Sequence, residues 1–377
     1  MMMQMSSSSD ELREEDSNGE LPFDMELSGL HLGEKQSPQS SPWRAQNASV
    51  WAAGQNLNGV YARLLQKVTS FDLVPESGKL VVLDVALSVQ VAFQALRENG
   101  IKSAPLWDSE ERQFVGMVSI SDFVEILLTC YKDATAQGRG QADAAACDAY
   151  VQREVQRPLS DWRERLHPIP HLIFVTPEDS VYECSTVMLQ HNIHRVAVLD
   201  SDSHTVLYLL THSVILNYFL AATTPVSRVP YFGKTLAAAG LMDDPEVVGR
   251  VPCAMLSTPF VEVLRNFSVG KCSAVPIVDR DGRMVAVVTK SDIRGLVNPG
   301  IWSAMNQSVG ELLTMRYRGK AGPDIASRVV TPADTLEMAI AKLVGRDVYR
   351  LFILDHQSKL VGKLTLTRLV RYVLAVR

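Results

Sequence analysis

Two aspartates stand at like places in the chain, Asp122 in Ser119-Ile-Ser-Asp and Asp292 in Thr289-Lys-Ser-Asp. An ionised carboxylate only accepts hydrogen bonds, and it can take them from the 2′- and 3′-hydroxyls of a ribose, as an acidic residue does in dinucleotide folds. Ser/Thr-x-x-Asp is also a capping box, in which the acid satisfies a helix start. The two uses are compatible. A second candidate is the pair His194-Arg195, just ahead of an apolar run. Arginine offers a planar fork for phosphate oxygens and histidine a further donor. The competing reading is a surface pair at a helix C-terminus, where the dipole favours cations. The chemistry on offer is recognition of a hydroxylated, phosphorylated ligand.

Such groups need elements to hold them, and the sequence repeats those elements four times. Segments starting at Gly100, Asn192, Gly270 and Asp347 each read as an apolar strand ending in aspartate: Asp108, Asp200, Asp279 and Asp355. A turn, a second apolar strand and a Ser/Thr helix start follow. Three residues past that Ser/Thr stand Asp122, Val214, Asp292 and Arg368. Upstream of each copy the apolar spacing near 3.6 predicts a helix: 88–99 (with Val91, Ala92, Ala95 and Leu96 on one face), 180–191, 258–269 and 335–345. Phe174-Val-Thr-Pro, Met255-Leu-Ser-Thr-Pro and Val329-Val-Thr-Pro read as short strands whose Thr-Pro starts the helix. The fold class expected is α/β, an α+β unit of order β-α-β-β-α repeated four times. One unit of this size buries too little to stand alone, so pairing through the sheets is expected. The boundaries read as a disordered acidic, Ser-rich leader at 1–55 and repeats at 60–131, 166–222, 247–298 and 323–377.

Composition narrows the class. The leader, over residues 1–50, holds nine acids against three bases, so a chain of net charge −5 has a body near neutrality. A near-neutral body gives no footprint for nucleic acid. Apolar runs are strand-sized, short of the ~20 residues a membrane span needs. The N-terminus lacks the basic flank and apolar stretch of a secretory signal. The expectation is a soluble protein of the cytoplasm, with the nucleus also open to it. Five cysteines without a CxxC pair read as free thiols, with no disulfide frame and no metal site. Nucleophile elbows, Walker loops and HExxH pairs are lacking, so no enzyme is expected.

The strand, hairpin and Ser/Thr-x-x-Asp pattern resembles the cystathionine-β-synthase (CBS) domain. Four copies in one chain resemble the gamma-subunit family of AMP-activated protein kinase. The stretches beginning at Lys79, Ala104 (Ala-Pro-Leu-Trp-Asp), Phe114 (Phe-Val-Gly-Met), Ile193 (Ile-His-Arg) and Leu210 (Leu-Thr-His) strengthen that resemblance. It implies repeats paired into two Bateman modules that form a flat disk, with nucleotide phosphates converging on its centre. It also implies AMP, ADP and ATP as ligands, no cofactor, and a kinase catalytic alpha subunit and a scaffolding beta subunit as partners.

Carried over residue by residue, the resemblance assigns ribose to Asp122 and Asp292 and phosphate to His194 and Arg195. Matching positions carry Lys102, Ser273 and Arg350, with Tyr349 where the second repeat has His194 and His212 as a further donor. Met117, Ser119 and Thr289 stand at strand ends suited to adenine. The departures are Lys102 in place of arginine, Ser213 in place of lysine, and Arg368 in place of the fourth aspartate. Arginine cannot accept from a ribose hydroxyl. Two other readings remain, a scaffold of degenerate repeats and a regulator binding S-adenosylmethionine, whose lack of phosphate leaves the cations unexplained.

Overall fold

The computed structural model describes residues 60–75, 80–136, 144–166, 172–222, 232–295, 300–318, 324–346 and 348–374, all within the unit Gly54–Arg377. The leader and its serines lie outside the described residues, as does Lys79.

The first repeat comprises β1 (Leu83–Asp84), α2 (Val89–Glu98), β2 (Ser103–Asp108), β3 (Gln113–Ser119) and α3 (Ile120–Ala136), preceded by α1 (Val60–Lys67). Helices α4 (Ala144–Val155) and α5 (Leu159–Leu166) follow. The second repeat is β4 (Phe174–Val175), α6 (Val181–Gln190), β5 (Arg195–Leu199), β6 (Val206–Thr211) and α7 (His212–Ala222). The third has α8 (Phe260–Val269), β7 (Ala274–Val278), β8 (Met284–Thr289) and a 3-10 turn at Lys290–Gly295, then α9 (Ile301–Asn306) and α10 (Val309–Arg316). The fourth is β9 (Val329–Val330), α11 (Leu336–Gly345), β10 (Arg350–Leu354), β11 (Leu360–Thr365) and α12 (Leu366–Leu374).

In three repeats the short first strand pairs parallel with the next, which pairs antiparallel with the third. The third repeat departs from expectation. Met255-Leu forms no strand, and a single bridge from Ala254 to Ile277 takes its place. The Thr-Pro steps at Thr176 and Thr331 do not start helices either. Each opens a turn closed by an aspartate three residues on, with Thr176 N–H and Thr331 N–H each donating at 2.7 Å to Asp179 and Asp334. The caps come later, at Ser180 and Thr335, whose hydroxyls accept from Glu183 N–H and Met338 N–H. Helix α2 is likewise capped by Ser88, but its buried face is Val89, Ala92, Phe93 and Leu96, while Val91 is exposed.

The sheets of repeats one and two face each other, Phe114 and Met117 packing with Leu172, Ala197 and Leu199. Those of repeats three and four do the same through Ala274, Met284, Val287 and Phe352. These are the two sheet-paired modules expected. Helices join them: α3 packs on α8, and α7 on α11 and α12. At the first seam Ser268 Oγ donates to the Glu125 carboxylate at 3.0 Å. Four interfaces thereby close a ring. Fully buried Phe267, Phe219 and Phe352 anchor it, each contributing roughly 1.5–3 kcal/mol of transfer free energy.

Each first helix is braced at its start by a segment from outside its repeat. Pro158 bridges to Ser88, Thr69 to Ser180, Ser308 to Pro259, and Thr235 to Thr335. Helix α1 therefore precedes the first repeat but packs on α6 of the second. Residues 247–248 also flank β11, with Val247 O accepting from Lys363 N–H at 2.8 Å. A Cβ at Gly362 would lie 2.5 Å from that same oxygen. Gly362→Ala is expected to cost about 1–3 kcal/mol by overpacking, read as a lower urea midpoint with an unchanged m-value.

Candidate functional site

Where each hairpin meets its second helix, the register fixes which residues are equivalent. Ser119, Thr211, Thr289 and Thr365 end the second strands and pair with Ser103, Arg195, Ala274 and Arg350. The residues just before those partners, Lys102, His194, Ser273 and Tyr349, each accept with their carbonyl from the N–H that opens the following helical segment. Lys102 and Ser273 are thus equivalent to His194 and not to Arg195, a correction to the sequence alignment. Arg350 is the true counterpart of Arg195.

All four junctions open on one central cavity of about 1090 Å³. Four lysines and eight arginines line it against four carboxylates, Asp122, Glu125, Glu246 and Asp292. A concave, low-dielectric wall with such an excess of positive charge focuses its field on anions. The cavity brings together Lys102, His194, Arg195, Ser273, Tyr349 and Arg350. Asp122, Asp292, Met117, Ser119 and Thr289 line it as well. His212 is a correction: it opens α7 pointing inward, is 1% exposed, and lines no part of this cavity. Neither of its ring nitrogens has a hydrogen-bond partner among the described residues, and burial, then His194, pushes its pKa down to about 3.

Both aspartates are caps as well as cavity residues. Asp122, 6% exposed, accepts from Ser119 N–H at 2.6 Å and Ser119 Oγ at 2.8 Å. Asp292 accepts from Thr289 N–H at 2.7 Å through one oxygen, and its other oxygen is paired with Arg316 at the end of α10. Two carboxylates alike in sequence are therefore unlike in space. The second repeat has only the Thr211 hydroxyl at this place, accepting from Val214 N–H at 3.3 Å. In the fourth, Arg368 is ion-paired to Asp244, and the neighbouring Arg371 to Glu246 at 3.4 Å.

At the centre three repeats meet on one ring. Lys102 Nζ lies 4.2 Å from the centroid of Tyr349, Arg195 donates to the Tyr349 hydroxyl, and His194 stacks on the ring at 5.5 Å. Thr367 Oγ1 lies 3.3 Å from His194 Nδ1. Enclosure by protein, then Arg195, Arg350 and Lys290, push His194 down to about 4. His194 nevertheless keeps an exposed face toward the cavity. From the third repeat Lys290 Nζ donates to Ser121 Oγ at 2.8 Å, and burial lowers its pKa. Arg350 is 8% exposed, its Nε has no hydrogen-bond partner among the described residues, and burial lowers its pKa too. The site presents donors and cations in excess of acceptors, the arrangement a polyanion neutralises.

Lys290, Arg316 and Arg328 escaped the sequence reading. Lys290 could have been found inside Thr289-Lys-Ser-Asp. Arg316 and Arg328 lie outside the hairpins, and no repeat signal marks them.

Four sheet-paired α/β units around a cation-lined cavity define a closed tandem-repeat ring. The chain belongs to the CBS-domain family, whose model matches residues 74–129, 164–221, 242–298 and 323–375. It is similar to the 5′-AMP-activated protein kinase subunit gamma of Dictyostelium discoideum, 35% identical over 320 residues, 84% of this chain and 53% of that protein. It is also similar to the human gamma-3 subunit, 28% identical over 314 residues, 83% of this chain and 60% of that one. The chain thus spans little more than half the length of these relatives. A solved structure from Methanocaldococcus jannaschii, a proposed archaeal homologue of the kinase gamma chain, shares the fold with a TM-score of 0.63 at 14% identity, over 81% of this chain and 99% of that one. No helix among the described residues is long and apolar enough to cross a membrane.

Proposed function

We propose that the chain is a non-catalytic regulatory subunit that binds AMP, ADP and ATP in its central cavity and controls a heterotrimeric Ser/Thr protein kinase. The observation that carries this is the placement of Asp122 and Asp292 at equivalent strand–helix junctions of one cavity whose other charged lining residues are mostly lysine and arginine. Their oxygens are ribose acceptors, and Lys102, Arg195, Lys290 and Arg350 are phosphate partners of complementary charge. The gamma subunits it resembles support kinase subunits as partners; a catalytic alpha chain and a scaffolding beta chain, in the cytoplasm and nucleus, are the partners we propose. AMP, ADP and ATP compete for the same cations. Each can shift the kinase only by binding its two states unequally.

A scaffold without sensing is favoured by one observation: Arg316 on Asp292 and Arg368 on Asp244 already fill two of the four junctions with internal ion pairs. Calorimetric titration of the full chain separates the readings. Saturable AMP and ATP binding, weakened at least about tenfold by Asp122→Ala with Asp292→Ala, supports the sensor. Wild-type protein free of co-purified nucleotide that binds neither leaves the scaffold standing. Tighter binding of S-adenosylmethionine than of AMP would sink both.

A further inference from the structure

Residues 244–248, on the chain between the second and third repeats, reach the start of α12 in the fourth. This strap is fixed at several points. Glu246 N–H donates to Asp244 Oδ1 at 2.8 Å, and Val247 and Val248 N–H donate to the Asp244 carbonyl at 2.9 and 2.8 Å. Val247 is buried, and Val248 bridges to Gly362 of β11. One carboxylate oxygen of Asp244 is thus held by the strap's own backbone, while the other accepts from Arg368. Glu246 lies 4.0 Å from Arg368 and 3.4 Å from Arg371. A carboxylate held in place before it pairs loses little freedom on pairing.

The placement reverses the sign found at the first and third junctions. Arg368 stands three residues past Thr365, where the other two carry Asp122 and Asp292. The first turn of α12 has no acid of its own, and a cation there opposes the helix dipole. Asp244 brings the missing negative charge from a distant part of the chain. The strap also borders the central cavity, whose lining includes Glu246, Lys363, Arg368 and Arg371. Two carboxylates are therefore set against three cations that a phosphate would otherwise meet.

We propose that this strap is an autoinhibitory counter-ion: Asp244 and Glu246 hold Arg368 and Arg371 against polyphosphates, and so bias the cavity toward AMP over ATP. The selectivity rests on the nucleotide reading, whereas the masking of the two arginines does not. A tethered carboxylate competes at a high effective concentration, set by its short span. The larger charge of a triphosphate gains more from each added cation than a monophosphate does. Masking two arginines therefore penalises ATP more than AMP.

The test titrates pyrophosphate, AMP and ATP calorimetrically into the full chain and into Asp244→Asn with Glu246→Gln. Pyrophosphate carries neither ribose nor adenine and so reads the cations alone. The double variant should bind pyrophosphate and ATP roughly tenfold more tightly or better, and AMP less than about threefold more tightly. Adding Arg368→Met should erase that gain, the mark of a direct contact and not of charge at a distance. Should the double variant fail to fold, Glu246→Gln alone alters a side chain that is 63% exposed, and a gain of about threefold for pyrophosphate is expected.

Unchanged affinity for pyrophosphate and ATP overturns the proposal, leaves the ion pairs as a structural brace, and does not touch the nucleotide reading. Equal gains for AMP and ATP overturn it too, as does a gain that survives Arg368→Met. Pyrophosphate binding that tightens in a chain blind to both nucleotides ends the nucleotide reading, and with it the selectivity, but upholds the masking of the arginines.

Discussion

Arg350→Met will raise the melting temperature of the ligand-free protein while weakening AMP and ATP binding by about ten- to a hundredfold. Arg350 is only 8% exposed, and its Nε lacks a hydrogen-bond partner among the described residues. The Cys272 thiol lies near it, and no carboxylate among the described residues pairs with it. Replacing a buried charge by an apolar side chain of similar length is commonly neutral to stabilising by about 1–4 kcal/mol, or a few degrees for a domain of this size. A phosphate is the partner that would justify the charge. Differential scanning calorimetry with and without AMP reads both effects at once. A variant that melts lower and binds AMP normally would show that Arg350 is structural.

The second large effect is acid destabilisation through His212. Its pKa is about 3 in the fold against an ordinary 6.5, because burial penalises the imidazolium. Above pH 6.5 neither the folded nor the unfolded state protonates it, and it contributes nothing to pH dependence. As pH falls below 6.5 the unfolded chain takes up a proton that the folded chain refuses, so stability is lost progressively down to about pH 3. At pH 5 the loss is about 2 kcal/mol. His212→Leu should remove that component: the variant gains on wild type at pH 5 relative to pH 7.5 in urea denaturation. Parallel pH profiles for the two proteins would refute the assignment. Nucleotide binding gives a contrast, since a phosphate beside His194 would raise its pKa, so binding takes up protons.

Much of the fold was legible because period and register are local properties. The four hairpins and their aspartate turns follow from residues within a dozen positions of one another, whereas the caps at Ser180 and Thr335 fall four residues beyond the Thr-Pro steps that the sequence suggested. The aspartates at 122 and 292 were legible for the same reason. Spacing placed them, and the chain folded them back onto Ser119 and Thr289. What escaped depends on ring closure. Arg316 reaches Asp292 from a helix that belongs to no repeat, and Asp244 reaches Arg368 across 124 positions. The alignment also misjudged Lys102 and Ser273 by one residue, because donor type alone does not fix register and only the strand pairing and the carbonyl bonds reveal the offset. His212 looked like a donor beside the cavity, yet the direction of α7 turned it into the core. Polarity alone does not say which way a helix start faces.

The bracing segments carry a lesson about where this chain could be divided. Each half, 60–222 and 232–374, contains both bracing segments its own two repeats require, since Thr69 and Pro158 serve the first pair and Thr235 and Ser308 the second. A scission between those halves would leave two self-sufficient pieces, able to rejoin through the α3–α8 and α7–α12 seams. A scission between the first and second repeats would part α1 from the helix it supports. The inheritable module is the pair, and a single repeat lifted out of this protein would leave behind a piece of itself.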